Sequence, residues 1–256
     1  MTIWVLADLH LSLSVPEKNM DVFGPAWENY TERIKRNWEA CVEKEDLVLI
    51  PGDICWARNL QEAMTDLEWI DALPGTKLLL KGNHDYWWAS NKKMEEHLPS
   101  SIHFIHNTVF EWENVSIGGT RLWDTDEYNF DAIIEGTQNP YAKVKTADDR
   151  AKKIEIDRGI YEKELERLKR SLSKLSQKAN LRIVMTHYPP LCYTLKESRV
   201  SKLLEAYHVD LCVFGHLHSV KKGIPLFGEK NGIRYILTSG DYLSFDPLML
   251  VKTEDS

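Results

Sequence analysis

The stretch Lys77-Leu78-Leu79-Leu80-Lys81-Gly82-Asn83-His84-Asp85 decides the predicted fold. Its apolar half predicts a buried β-strand, so its polar half lies where that strand ends. Open α/β sheets place their chemistry at strand ends. Gly82 allows close approach of the backbone to a ligand, while the next three residues offer an amide oxygen, an imidazole and a carboxylate. A simple turn is the alternative interpretation, because asparagine and aspartate hydrogen-bond their own backbone.

Two further strands are predicted upstream, at residues 3–7 and 47–50. The first runs into Asp8 and His10, which would point to the same side if strand alternation continued. The second ends in Pro51-Gly52-Asp53, so another carboxylate follows a glycine. Helical spacing of apolar residues after Pro25 and after Leu60 separates the strands, which predicts parallel crossovers and an α/β fold.

Three more histidines follow strands in the last third of the chain. Residues 181–186 run into His187, and residues 211–214 run into His216 and His218, which face the same way if strand geometry persists. Closing strands are predicted at residues 233–237 and 248–251, with Gly240-Asp241 as a turn between them. A second sheet is expected to begin within residues 102–119, where short strands alternate with turns.

A charge-rich helix is predicted over residues 151–177. The apolar residues on one of its faces are Ile154, Tyr161, Leu165, Leu168, Leu172 and Leu175. The last five follow heptad spacing, so the seam of a homodimer is an alternative to a helix packed on its own domain. The packed helix is favoured because the run is short and Gly159 interrupts it. Residues 122–146 show no period and are expected to form a lid or a specificity loop.

Composition restricts the function of this 256-residue chain. A net charge of −7 argues against a nucleic-acid partner, because such binding rests on clustered lysine and arginine. The four cysteines, which form no Cys-x-x-Cys pair, predict reduced thiols and favour a cytoplasmic location. Neither a signal peptide nor an apolar run of about 18 residues is recognisable, so no membrane association is expected.

The residues at the predicted strand ends form one set of hard oxygen donors and imidazoles. They are Asp8, His10, Asp53, Asn83, His187, His216 and His218. A set without thiolates suits Mn, Fe, Zn or Ni better than it suits a tetrahedral structural zinc site. Seven donors are too many for one transition metal, but they can serve two ions if a carboxylate bridges.

These blocks resemble the calcineurin-like metallophosphoesterase superfamily, which carries Asp-x-His, Gly-Asp, Gly-Asn-His-Asp or Glu, His, and Gly-His-x-His in this order. All five blocks occur here, between positions 8 and 218. The resemblance implies a four-layer αββα sandwich of two mixed β-sheets flanked by helices. It also implies a single domain over residues 1–256, with a helical and loop insertion at about 122–178.

By the same resemblance, two divalent transition-metal ions share Asp53. One ion is assigned to Asp8, His10, Asp53 and His218, and the other to Asp53, Asn83, His187 and His216. The implied reaction is hydrolysis of a phosphomonoester or phosphodiester by a hydroxide that bridges the ions. Their charge exceeds that of the ligands, so a phosphate would be attracted although the whole chain is acidic.

The resemblance makes His84 the acid that protonates the leaving oxygen, or a donor to the transition state, with Asp85 orienting it. The family's protein phosphatases carry an aspartate where this chain has Trp56, which argues against protein phosphatase activity. Arg58 and Arg121 are the arginines nearest in sequence to the motif loops. They are predicted to hold a phosphate, although a solvated arginine is the alternative for each.

A small phosphorylated substrate is therefore the expected partner. Two other functions remain open. A nuclease could use the same site, but it would need a basic groove that the composition does not suggest. A catalytically silent scaffold of the same fold is the other alternative, although such proteins usually lose ligands and none is missing here.

Overall fold

Two mixed β-sheets form the centre of the structure, a computed structural model that describes residues 1–135 and 147–252, with no side chain described for residues 147–151. The strands of the first sheet are β1 (Thr2–Val5), β2 (Leu47–Ile50), β3 (Thr76–Leu80), β4 (Ile102–Ile105) and β11 (Leu248–Lys252). They lie in the order β11-β1-β2-β3-β4. The strands from β1 to β4 are parallel, and β11 pairs antiparallel with β1.

The second sheet is wider but is built in the same way. Its strands are β5 (Phe110–Trp112), β6 (Val115–Thr120), β7 (Leu181–Thr186), β8 (Leu211–Phe214), β9 (Gly228–Lys230) and β10 (Ile233–Leu237). They lie in the order β5-β6-β7-β8-β10-β9. The four central strands are parallel, while β5 and β9 are antiparallel edges. The carboxyl ends of the parallel strands therefore gather at one edge of each sheet.

Helices cover the outer face of each sheet. Their bounds are α1 (Tyr30–Cys41), α2 (Leu60–Asp71), α3 (Asn91–His97), α4 (Ala147–Leu172) and α5 (Arg199–Ala206). Strand residues alternate between two cores, because successive side chains point to opposite faces. In β2, for example, Leu47 and Leu49 face the second sheet, whereas Val48 and Ile50 pack among the residues of α1 and α2. A third core joins the second sheet to α4 and α5. The four-layer sandwich predicted from the sequence is thus confirmed.

The start of the first long helix differs from the sequence-based expectation. Pro25 opens a short 3-10 turn, Pro25–Trp27, and not the long helix; α1 begins at Tyr30 because Asn29 has a left-handed backbone, with φ of 50°. The second sheet begins at Phe110, within the predicted region 102–119, whereas the first strand of that region, β4, completes the first sheet by pairing with β3. The apolar stripe of α1 (Tyr30, Ile34 and Trp38) is buried as predicted.

The charge-rich helix α4 packs on the chain's own second sheet. Five of its six predicted apolar residues are buried there: Tyr161, Leu165, Leu168, Leu172 and Leu175. Ile154 is the exception, because it is 53% exposed. The helix ends at Leu172, so Leu175 packs from the turn that follows. Residues 136–146 of the predicted lid lie outside the described residues, and the single domain with an insertion at 122–178 stays a prediction.

No helix in the described ranges is both long enough and apolar enough to span a bilayer.

Candidate metal centre

Seven side chains that follow parallel strands of both sheets converge at the carboxyl edge of the sandwich. They are Asp8, His10, Asp53, Asn83, His187, His216 and His218. Parallel strands from two packed sheets bring their ends together, so His10 and His218 come into contact although they are 208 positions apart in the chain. The cluster is the one that the sequence predicted as a ligand set.

The first half of the cluster joins the ends of β1 and β8. Nε2 of His10 lies 3.2 Å from Nε2 of His218, and Oδ1 of Asp8 lies 3.9 Å from the same His218 nitrogen. These three residues offer donor atoms close enough together to surround one ion. They are three of the four ligands assigned to the first ion.

The second half gathers around the amide oxygen of Asn83. That oxygen lies 2.7 Å from Nε2 of His187 and 3.0 Å from Nδ1 of His216. A second group of donors close enough to hold a cation contains Asp8, Asp53 and His187. Asp8 therefore contributes to both halves, which the sequence-based division between the two ions did not anticipate.

Asp53 lies between the two halves. Its Oδ2 is 3.6 Å from Nε2 of His10 and 3.4 Å from Nε2 of His187. A carboxylate oxygen flanked in this way by an imidazole from each half can serve both ions at once. Burial opposes its ionisation, but the imidazoles of His187 and His10 hold the pKa of Asp53 well below its usual range. The charge that a shared ligand needs is therefore present at neutral pH.

The backbone at these residues is not extended, so the alternation argument from the sequence is wrong. Asp8, His10, Asp53 and His216 have φ values of 57°, 44°, 53° and 72°. β1 ends at Val5, before the first of them. Left-handed residues other than glycine cost of order 1–3 kcal/mol and persist where surrounding structure imposes them, often at functional sites. The donors converge through four such turns and not through strand periodicity.

Two glycines make the convergence possible. A Cβ at Gly82 would collide with the carboxylate of Asp53, and one at Gly215 would collide with the carboxylate of Asp8. The glycines in the Gly-Asn-His-Asp and Gly-His-x-His blocks are thus needed because each lies directly against a candidate ligand.

The hydrogen-bonding pattern fits metal ions. Nδ1 of His187 contacts the carbonyl oxygen of Pro51 at 3.0 Å, and Nδ1 of His218 contacts the carboxylate of Asp241 at 2.8 Å. A ring nitrogen facing such an acceptor carries the proton, so in the neutral ring the lone pair is on Nε2. Both Nε2 atoms then face the other donors of the cluster. Metal-binding histidines are usually held by this kind of partner.

The cluster also attracts positive charge. Burial alone lowers the pKa of His187, but the carboxylates of Asp53 and Asp8 raise it to about 9. For His218, burial again lowers the pKa, while the hydrogen bond and the charge of Asp241 raise it to about 9. Without cations, protons thus occupy the nitrogens that cations would bind.

Metal affinity should therefore fall as the pH falls. His187 and His218 must each lose a proton on binding, and both are protonated below about pH 9 in the metal-free chain. If each ion displaces one proton, its affinity should drop about tenfold from pH 8 to pH 7. Calorimetric titration with Mn²⁺ in buffers of different ionisation enthalpy would count the released protons. Equal affinities at both pH values, with no proton release, would contradict this assignment.

Asp241 is a functional candidate that the sequence analysis treated as a turn residue. Its Oδ1 holds His218, and its Oδ2 accepts the backbone N–H of Ser219 at 2.9 Å. It follows β10, whose last residue is Leu237, so it too lies beyond a parallel strand of the second sheet. This position after a predicted strand, next to Gly240, is the sequence feature from which a functional role of Asp241 could have been predicted.

Asp241→Asn should lower metal affinity about 10–100-fold, the usual effect of losing the partner of a ligating histidine. The asparagine keeps the shape but not the charge that favours the required His218 orientation. Competition with a chromophoric chelator measures the change. Asp246→Asn, at an exposed aspartate on the same loop, is the matched control and should bind metal like the parent.

His84 lies beside this cluster and not within it. Its ring centroid is 5.6 Å from that of His10 and 4.5 Å from that of Trp56. Its Nδ1 is buried and has no hydrogen-bond partner within the described ranges. Burial lowers the pKa of His84, so the ring is neutral at neutral pH. This placement is compatible with contact to a bound substrate.

Asp85 does not orient His84, contrary to the sequence-based prediction. Its two oxygens accept backbone N–H groups of Asp53, Ile54, Cys55 and Gly82 and the indole N–H of Trp87. Asp85 is fully buried under the loop that carries Asp53. It is therefore a positioning residue for the candidate shared ligand, since it fixes the backbone on both sides of that contact.

The two predicted substrate arginines are not placed together. Arg58 is exposed, and its backbone N–H binds the carboxylate of Glu62. Nε of Arg121 lies 3.2 Å from Oε1 of Glu164, and its guanidinium stacks over Trp123. Within the described ranges neither side chain contacts the seven candidate ligands. The Arg121 side chain faces a neighbouring cavity because its carboxylate partner comes from α4.

The calcineurin-like phosphoesterase family matches residues 1–220. The Gene 66 protein of Mycobacterium phage D29 is 32% identical over 83 residues, a match that covers 32% of this chain and 40% of that protein. The aligned part is thus well under two thirds of the phage protein.

Two solved structures resemble the chain over nearly its whole length. A phosphopantetheinyl hydrolase from Mycobacterium tuberculosis has a TM-score of 0.55 at 14% identity, covering 98% of this chain and 96% of that one. A protein of unknown function from Aquifex aeolicus has a TM-score of 0.45 at 17% identity, covering 97% and 95%. The first likeness supports the fold. With the family match over residues 1–220, the chain belongs to the calcineurin-like phosphoesterase family of hydrolases.

Proposed function

We propose that this protein is a phosphoesterase that requires two divalent transition-metal ions and hydrolyses a phosphomonoester or phosphodiester of a small substrate. The observation that carries the proposal is the position of Asp53, whose Oδ2 lies within 3.6 Å of an imidazole nitrogen from each half of the cluster. Carboxylates, imidazoles and one amide suit Mn, Fe, Zn or Ni.

A pair of bound cations would supply positive charge for the phosphate and lower the pKa of water, so that a hydroxide nucleophile forms at neutral pH. The chain's residues supply the rest. Asn83 offers a neutral oxygen to the second half and therefore leaves the positive excess intact. His84, which burial keeps neutral, can donate a hydrogen bond from its ring to the leaving oxygen.

The surroundings of His84 support a small substrate. The Trp56 ring stacks on His10, with centroids 5.1 Å apart, and also packs on His84. No carboxylate among the described residues is hydrogen-bonded to the imidazole of His84, so the histidine–aspartate pair of the family's protein phosphatases is not formed. Tyr86, which is 64% exposed and contacts the edge of His84, is placed to contact an organic leaving group.

We also propose a cytoplasmic location and do not expect a nucleic-acid partner. The four cysteines, Cys41, Cys55, Cys192 and Cys212, are all free thiols, as is usual in a reducing compartment. A homodimer, if it forms, would use a surface other than the apolar face of α4, because that face is buried against the chain's own sheet.

The proposal is tested by removing metal with a chelator and restoring Mn²⁺, Fe²⁺, Zn²⁺, Ni²⁺ or Mg²⁺ one at a time. Artificial monoester, artificial diester and single-stranded DNA substrates are then compared. We expect hydrolysis of the monoester or the diester only after a metal is restored. Preferential cleavage of the DNA would indicate the nuclease instead, and no hydrolysis with any metal would indicate the silent scaffold.

A further inference from the structure

A cavity lies between the two sheets, beside the candidate metal centre. Its volume is about 270 Å³, and its charged lining residues are Lys81, Arg121, Glu164 and Arg167. Lys81 immediately precedes Gly82 and Asn83 in the chain. The carbonyl oxygen of Arg121 accepts the backbone N–H of His187 at 3.1 Å. Two walls of the cavity are thus continuous with loops that carry candidate ligands.

The two arginines of this cavity share one carboxylate. Oε1 of Glu164 accepts Nε of Arg121 at 3.2 Å and Nη1 of Arg167 at 2.6 Å. Its other oxygen is hydrogen-bonded to the hydroxyl of Thr120. The Glu164 side chain is only 2% exposed, so both of its oxygens are fully used inside the protein. One carboxylate can neutralise one of the two guanidinium charges.

Lys81 adds a third positive charge to the cavity, and no carboxylate of the described residues pairs with it. Its side chain is half-buried, and its ammonium group makes no hydrogen bond or ion pair with any residue of the described ranges. His106 on the same lining is held by Asn91 at 2.7 Å, and its pKa is lowered by burial and then by the nearby charges of Arg167 and Lys81. The cavity therefore holds three cations, one carboxylate and a neutral imidazole.

An excess of positive charge around a partly enclosed cavity attracts an anion, although the Arg167 side chain is 41% exposed and stays partly solvated. Removing a cation from water is costly unless it is paired. Among the described residues only Nε of Arg121 has a hydrogen-bond partner, so its Nη atoms can make a bidentate contact, the geometry in which arginine recognises phosphate. Leu80 and Ile105 contribute apolar lining, which strengthens electrostatic attraction by keeping the local dielectric low.

We propose that this cavity binds a phosphate-sized anion through Lys81, Arg121 and Arg167. If the proposed phosphoesterase function is correct, the anion is a second phosphate of the substrate, so the substrate class is a small bisphosphate. That identification rests on the proposed function, whereas the anion site itself does not. The site would select substrates by binding the phosphate group that is not cleaved.

Anion binding can be measured without catalysis. Inorganic phosphate is titrated calorimetrically into the full chain after metal removal, when no divalent cation draws anions to the metal centre, and variants of the cavity then report on the cavity itself. We expect Lys81→Met and Arg167→Gln each to weaken binding about tenfold, since each removes a charged hydrogen-bond donor. Arg170→Gln, which changes an exposed cation one turn further along α4, is the matched control and should bind like the parent.

Circular dichroism verifies that each variant is folded. Failure of the parent to bind phosphate, or equal binding by all folded variants, would overturn the anion site.

Turnover then identifies the anion. The metal-loaded parent is given alkanediol monophosphates and the corresponding bisphosphates over a series of chain lengths. We expect kcat/KM to favour a bisphosphate of one length at least tenfold, with the preference lost in Lys81→Met and kept in Arg170→Gln. Phosphate binding without hydrolysis of any ester would sustain the anion site and reject the proposed function. Hydrolysis of an ester without phosphate binding would sustain the proposed function and reject the anion site. Binding and hydrolysis without any preference would reject the bisphosphate and assign the cavity to free phosphate.

Discussion

Asp53→Asn is expected to lower kcat/KM for a phosphoester by about a thousandfold or more. The substitution keeps the size of the side chain and an oxygen for the backbone N–H of His84, which lies 2.8 Å from Oδ1. It removes the charge between the imidazoles of His10 and His187. Metal-ion catalysis supplies several kcal/mol of charge stabilisation, and each 1.36 kcal/mol corresponds to a tenfold change in rate.

Metal content must be measured with the rate of this variant. We expect Asp53→Asn to bind fewer than two equivalents of Mn²⁺ under conditions that saturate the parent, as elemental analysis after gel filtration would show. Asp126→Asn is the control, because Asp126 is an exposed carboxylate paired with Arg158 at the surface. Two equivalents of metal and more than a tenth of the parent activity in Asp53→Asn would remove Asp53 from its proposed role.

His84→Ala should lower kcat about a hundredfold or more, the usual contribution of a general acid or a comparable donor. The metal content should stay at the parent value, because no atom of His84 is among the candidate ligand atoms of the cluster. The ring instead lies on His10 and Trp56 at the side of the site. A loss of bound metal together with the rate would show that this role is wrong.

The pH profile distinguishes the two possible roles of His84. Burial lowers its pKa, so the protonated form disappears as the pH rises through that lowered value. At saturating metal, an acid would therefore give a rate that falls as the pH rises through this lowered pKa, whereas a neutral donor would give a flat profile over the same range. We expect the flat profile. His97→Ala, at the exposed end of α3, controls for the loss of an imidazole.

The sequence predicted the structure correctly where a run of residues is compatible with only one environment. Runs such as Leu47–Ile50 predicted the strands because a strand buried on both faces has no polar position. The candidate ligands followed because polar residues after such runs must lie at the edge of a sheet. The turns at Asp8 and His216 could not be predicted in this way, since their left-handed backbones are imposed by contacts between distant segments.

The errors concern partners that are distant in the sequence. Asp85 lies next to His84 in the chain, but it binds the loop of Asp53, which is 32 positions away. Arg121 was predicted to hold a phosphate because it lies near the motif loops in the sequence, and Glu164 holds its side chain in the neighbouring cavity instead of beside the seven candidate ligands. Asp241 was overlooked because its partner, His218, precedes it by 23 positions. Local sequence patterns identify which strand a polar residue follows, but they do not identify the distant segment that its side chain will contact.

The most direct test of the account is an anomalous-difference map from crystals of the full chain grown with Mn²⁺. The account predicts two peaks about 3.5–4 Å apart, the separation usual for two-metal sites, with the carboxylate of Asp53 between them. One peak should lie near His10 and His218, and the other near Asn83, His187 and His216. A single peak, or two peaks with Asp53 bound to neither, would contradict the central claim that this aspartate is shared.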